Sequence, residues 1–267
     1  PKPRAQSREP YLSQVPLLVT DAIVLHTFDY LESSRIVRLI TQDGGIRSAL
    51  AKGARRSRRR FGSGLDLFAQ GTASFYVKPG RDLDTLTGFE DVHPRTELAS
   101  DLDRFSGAEA IAEIALRFGG TSADAPMFET IAAVLDELAA APAPDARTVS
   151  IAGAWRLVSV LGHTPVMLQC AECGDAIPAD ATALFTHSAG GILCPRCAQL
   201  SPGGRKLPGE ARAAIASWCG GDLSSALSDA GARAHQRLLR EFVEYHLHDG
   251  RPLKAFDLWE GAAWTAA

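Results

Sequence analysis

Four cysteines offer the most definite chemistry in this 267-residue chain: Cys170-Ala-Glu-Cys173 and Cys194-Pro-Arg-Cys197. A Cys-x-x-Cys turn puts both sulfurs on one side of a tight loop, so two such turns supply a full tetrahedral thiolate shell, as in a zinc ribbon. Between the pairs, Phe185 and Gly190-Gly191 predict a short hairpin. Protein sulfur would fill every position, leaving none for a metal-bound water, so the expected metal is one structural Zn2+ per chain. Iron in the same shell, free or disulfide-paired thiols, and a redox pair are the alternatives. Cys219, following Trp218, reads as a small buried apolar residue.

The second chemical feature is charge. Up to Arg81 there are fourteen Lys/Arg against six Asp/Glu; beyond it, fourteen against twenty-five, which gives the overall −3. The densest run is Arg47, Lys52, Arg55, Arg56, Arg58, Arg59 and Arg60, with no acid between Asp43 and Asp66. Arginines this close repel one another, so a densely negative partner, nucleic-acid phosphate first, is the natural complement. A solvated loop without a partner is the plain alternative. Gly53, Gly62 and Gly64 interrupt any amphipathic helix there and weigh against a membrane surface. Phe61, between Arg60 and Gly62, stands as the stacking candidate, with Phe75 and Tyr76 nearby.

The elements that must carry these residues change in kind along the chain. Leu18–His26, Arg35–Thr41 and Ile46–Ala51 read as strands, the last two joined by Gln42-Asp43-Gly44-Gly45. After the arginines come Leu65–Phe68, Gly71–Val77 and a strand over about 85–92. Five short strands with a break after the third match an OB-type (oligonucleotide/oligosaccharide-binding) barrel, though other small barrels share the pattern. From Glu97 the period becomes helical: 101–118, then a helix opened by Pro126, then one capped by Asp145. After the cysteine segment, helices are predicted at 208–218, 222–228 and 233–248, followed by a tail.

The expected fold class is therefore α+β. A flexible leader (1–14) precedes an OB-type barrel (15–95). An all-helical domain (96–165 and 205–255) is interrupted by the four-cysteine insert (166–204). Hydrophobic content of 46% and charged content of 22% are those of a globular protein. The absence of a long apolar run or a signal peptide predicts a cytoplasmic protein with no membrane partner. No paired-carboxylate, His-x-x-x-His, Walker or Gly-x-Ser-x-Gly pattern stands out, so neither catalytic nor cofactor-binding residues are nominated. The seven histidines read as core or surface residues.

Taken together, the residues resemble the RecO family of bacterial recombination-mediator and DNA-repair proteins. The resemblance is carried by Ser33-Ser34-Arg35-Ile36-Val37, Ala49-Leu50-Ala51-Lys52-Gly53-Ala54-Arg55-Arg56, Phe61-Gly62, the interrupted ribbon, and Leu238-Leu239-Arg240 through Leu253-Lys254. It covers the chain from about Leu17. The ending Ala255-Phe256-Asp257 departs from it, where relatives commonly continue Lys-Ser-Arg.

The resemblance implies a non-enzymatic, nucleoid-associated protein that binds single- and double-stranded DNA and anneals complementary strands. With RecR it would assist RecA loading on DNA coated by single-strand-binding protein, with RecF as a further partner. The basic run from Lys52 to Arg60, extended by Arg35, Arg38, Arg47, Lys78 and Arg81 where these face outward, is the expected DNA surface. Two other functions fit the sequence: a protein–protein adaptor in DNA metabolism without annealing activity, and a nucleic-acid-processing enzyme with a structural ribbon.

Overall fold

The computed structural model describes residues 17–55, 61, 65–77, 80, 82–201, 203–222, 227–247 and 249–261; the predicted leader lies outside them. Five strands, β1 (Leu17–Tyr30), β2 (Ser34–Thr41), β3 (Gly45–Ala51), β4 (Gln70–Tyr76) and β5 (Asp84–His93), close into a barrel. The order is β1-β2-β3-β5-β4, with β4 returning to β1; the β3–β5 pair is parallel and the others antiparallel. This is the expected OB-like barrel.

The barrel is buried on two sides, which blurs the alternation that strand reading relies on. Ala22 and Val24 face its interior with Val37, Leu39, Ala49, Phe75 and Phe89. Ile23 and Leu25 point the other way, into the helical core. A bulge between Val24 and His26 shifts the β1–β2 register, and β1 then runs on to Tyr30, four residues past the predicted end. Over 26–30 its strand partner is β2; pairing with β4 covers 17–23.

The helical domain starts with α1 (Leu102–Phe118), α2 (Ala125–Ala140) and α3 (Ala146–Val160). Asp101 and Asp124 cap α1 and α2, accepting from the Arg104 and Met127 amides. The predicted cap at Asp145 is not made. This residue ends a 3-10 turn with helical dihedrals, so its side chain does not reach back over the N-terminus. Gly153 of α3 lets α2 approach closely: a Cβ there would lie 2.2 Å from Val134 Cγ1.

The insert follows. β6 (Ala183–Thr186) and β7 (Gly191–Leu193) form the predicted hairpin, and the short helical turn α4 (Pro195–Ala198) carries the second cysteine pair. β8 (Arg205–Leu207), absent from the sequence reading, pairs with the other edge of β6. Helices resume with α5 (Gly209–Cys219) and α6 (Asp229–His246). Of the helix predicted at 222–228, Asp222, Leu227 and Ser228 are not helical and 223–226 lie outside the described residues. Ser228 instead caps α6, accepting from the Gly231 amide at 3.2 Å.

A final helix, α7 (Lys254–Trp259), was read from sequence as tail. It packs on α1 and buries Phe256 and Trp259. Trp259 Nε1 donates to Ser150 Oγ at 3.0 Å. Its carbonyl accepts from Gln236 Nε2 at 2.9 Å.

Two buried arginines lock the parts together. Arg95, 4% exposed, donates to the Phe68 carbonyl (2.8 Å), Gln70 Oε1 (2.8 Å) and Asp136 Oδ1 (2.6 Å), tying barrel to α2. Arg212 of α5, 2% exposed, donates to the carbonyls of Met167, Pro178 and Ala181, tying insert to helices. Neither was singled out from sequence, where a lone arginine carries no sign of burial.

Candidate nucleic-acid interface and metal centre

The cysteine knuckles are built by backbone geometry before any metal is considered. Gly174, at φ +77°, turns the first knuckle, and its amide donates to the Cys170 carbonyl at 2.9 Å. The Ala171 amide donates to the Ile192 carbonyl at 2.8 Å, fixing that knuckle against β7, which ends one residue before Cys194. All four Sγ atoms lie within 4.8 Å of one another. Cys173 and Cys194 are 3.7 Å apart at sulfur. Sulfurs about 2.3 Å from a tetrahedral ion stand about 3.8 Å from each other, whereas a disulfide needs about 2.05 Å. All five cysteines are free thiols. The donor set thus fits a four-coordinate metal held entirely by protein sulfur. Cys219 lies apart, half-buried, its thiol pushed up to about 12 by burial.

On the barrel, the structure separates residues that the sequence had grouped. Lys52 and Arg55 stand exposed at the exit of β3, where Gly53 turns the chain at φ +73°. Arg35 faces Asp29 across the β1–β2 pair at 3.3 Å, and Arg55 reaches the other Asp29 oxygen at 3.6 Å. These pairs are solvent-exposed and weak. Arg56, Arg58, Arg59, Arg60, Lys78 and Arg81 lie outside the described residues.

Three expectations are corrected. Phe61 is not a stacking platform: it is 2% exposed and fills the barrel interior beside Leu65 and Phe75. Its neighbours Arg60 and Gly62 made it read as a surface ring, but the barrel interior takes it. Arg47 does not extend an open surface. Its partner across β2 is Leu39, an interior position, and its Nη1 donates to the buried carboxylate of Asp84 at 2.8 Å. Arg38 lies on the opposite face of β2 from Arg35 and turns toward the helices, donating to the Leu116 carbonyl at 2.9 Å.

Arg38 thereby joins a cleft of about 670 Å³ between barrel, α1 and the segment leading into α7, where Arg251 and Lys254 also stand. Burial and the Arg251 charge hold its guanidinium below the usual value. Arg117 at the rim is neutralised by Asp249 and Glu113. Glu109, also lining the cleft, has its carboxyl raised to about 6 by burial and by Glu113.

Several histidines lie against other rings. The His163 and His246 rings lie 5.9 Å apart, and His187 packs on Phe242 and Tyr245 while contacting Glu241 Oε2 at 3.3 Å. Among the described residues, the four cysteines are the only cluster of three or more potential metal ligands. No described helix is long and apolar enough to cross a membrane.

Comparison with known proteins adds the family. Residues 16–95 match the model for the N-terminal region of recombination protein O, and residues 99–255 that for its C-terminal region. A DNA repair protein RecO from Anaeromyxobacter sp. (strain K) is 35% identical over 240 residues, covering 87% of this chain and 92% of its own length. The RecO of Nocardioides sp. is 30% identical over 242 residues, 88% and 97% respectively. That of Rubrobacter xylanophilus is 33% identical over 180 residues, 67% and 71%. With both regions matched and the barrel, helices and cysteine cluster in place, the chain belongs to the RecO family of DNA repair proteins.

Proposed function

We propose that the chain is a non-enzymatic recombination mediator that binds DNA through its barrel and anneals complementary strands. The reading includes RecR, RecF, RecA and single-strand-binding protein as partners, with loading of RecA on coated single strands as the outcome. The observation that carries it is the exit of β3: Lys52 and Arg55 are exposed beside Arg35, and the sequence continues directly into Arg56, Arg58, Arg59 and Arg60. Such a run neutralises phosphates on two strands and lowers their mutual repulsion, so that pairing nucleates.

Contact with about five to seven phosphates on a single strand gives log K against log salt a slope of roughly −3.5 to −5. Replacing Arg55, Arg56, Arg58, Arg59 and Arg60 by glutamate should abolish that slope. Binding and slope unchanged by the replacement would remove the segment from the mechanism.

Cys170, Cys173, Cys194 and Cys197 are proposed to hold one structural zinc ion. The ion closes the insert by cross-linking its two knuckles, and with four thiolates present it has no open position for substrate.

A further inference from the structure

β1 carries aromatic rings where the barrel has no use for them. Beyond the bulge, His26, Phe28 and Tyr30 alternate onto the outer face, paired with Arg38, Ile36 and Ser34 of β2. All three are exposed, Phe28 at 44% and Tyr30 at 42%, and Leu31 follows at 75%. The opposite face supplies the packing, through Val37, Ala49 and Ala51. The His26 and Phe28 rings are 6.0 Å apart, and alternate strand positions recur about every 6.7 Å. Half-buried Ile36 and Leu50, aligned across the sheet with Phe28, support the middle of the row.

Cations border this row. Lys52 and Arg55 stand at the β3 exit, near the Tyr30 end. At the His26 end the row enters the cleft holding Arg38, Arg251 and Lys254; Arg251 pairs with Asp249 and the Lys254 amide donates to Glu113, whereas the Arg38 guanidinium forms no ion pair among the described residues. Partial burial and the Arg38 charge hold His26 below its ordinary value, which favours the uncharged ring. Rings in a row with the cations Lys52 and Arg38 at its two ends are the equipment for single-stranded nucleic acid, bases lying on the rings and phosphates reaching the cations. An apolar protein partner would use the rings but leave the cations unmatched.

We propose that the outer face of β1, with His26, Phe28 and Tyr30 as successive stacking positions, is a base-binding platform for single-stranded DNA whose phosphates continue into the Arg38 cleft. The inference rests on the DNA binding proposed above and adds to it the residues that touch bases.

The test compares a labelled oligothymidylate with an abasic deoxyribose-phosphate strand of equal length, using the full chain, the F28A/Y30A variant and the ring-preserving F28Y/Y30F variant. Far-UV circular dichroism checks folding. The wild type should prefer thymidylate. F28A/Y30A should lose that preference, its thymidylate affinity falling about 30-fold or more, with abasic binding and salt slope unchanged. F28Y/Y30F should behave as wild type. A preference retained by F28A/Y30A overturns the proposal while leaving DNA binding intact. So does an equal loss for both strands, or a change in self-association with DNA binding untouched. If the wild type binds neither strand at any salt, the underlying DNA reading fails, and the platform with it.

Discussion

Arg95 makes a quantitative test of how the barrel is held on the helices. Replacing it by methionine keeps most of the aliphatic stem but removes the guanidinium from the Phe68 carbonyl, Gln70 and Asp136. The Asp136 side chain is 53% exposed, so its ion pair counts at surface value, under about 1 kcal/mol. The Phe68 carbonyl is the costly loss: it is buried, and an acceptor stripped of a charged donor costs about 1–3 kcal/mol. With a smaller share for Gln70, Arg95→Met should destabilise by about 2–4 kcal/mol. At roughly 2–4 °C per kcal/mol for a chain of this size, melting should fall by about 5–15 °C. Asp136→Asn should cost under about 1 kcal/mol. Urea unfolding followed by tryptophan fluorescence and circular dichroism gives both values. A loss below about 1 kcal/mol for Arg95→Met, or an equal loss for Asp136→Asn, would refute the buried carbonyl as the main term.

Other outcomes follow from the same structure. Cys194→Ser should reduce bound zinc to well below one per chain and expose the insert to protease, since metal binding and folding of such a segment are one equilibrium; a full zinc complement would contradict the four-thiolate site. His235, buried against Trp218, has its ring lowered to about 4 by burial. Its neutral form is favoured by folding, so its contribution is complete above about pH 6.5 and is lost as pH falls toward 4. His235→Gln should flatten that part of the stability profile, and an unchanged profile would refute the assignment. Glu109 acts in the opposite sense. Its carboxyl, raised to about 6, favours the fold below about pH 4.5 and loses that contribution as pH rises through 6. Glu109→Gln should therefore stabilise the chain at pH 7.5 by about 1–2 kcal/mol in urea unfolding, and no gain would refute the desolvation argument.

What was legible in the sequence was whatever local spacing determines. The two cysteine pairs, the Gly190-Gly191 hairpin and the helical periods around Ile111 and Ile131 rest on contacts a few residues apart. Loss of legibility began where distant segments decide burial. Phe61 read as a surface ring because its neighbours are Arg60 and Gly62, whereas the barrel interior claims it. Arg47 read as part of a basic face because its interior position follows from pairing with Leu39. The helix at Lys254–Trp259 was missed because six residues give too short a period, and its reason to exist is the cavity that Phe256 and Trp259 fill. The exposed row on β1 was invisible for a related reason: the bulge at Leu25 resets which residues face outward.

The central claim is that the basic N-terminal face brings two strands together. Complementary oligonucleotides, each coated with single-strand-binding protein, should be mixed with the folded, zinc-loaded chain, and duplex formation followed by energy transfer across a salt series. The account predicts acceleration that fades as salt rises and disappears when the arginines from Arg55 to Arg60 are replaced by glutamate. Acceleration insensitive to salt and to those replacements, or none at all, would contradict it.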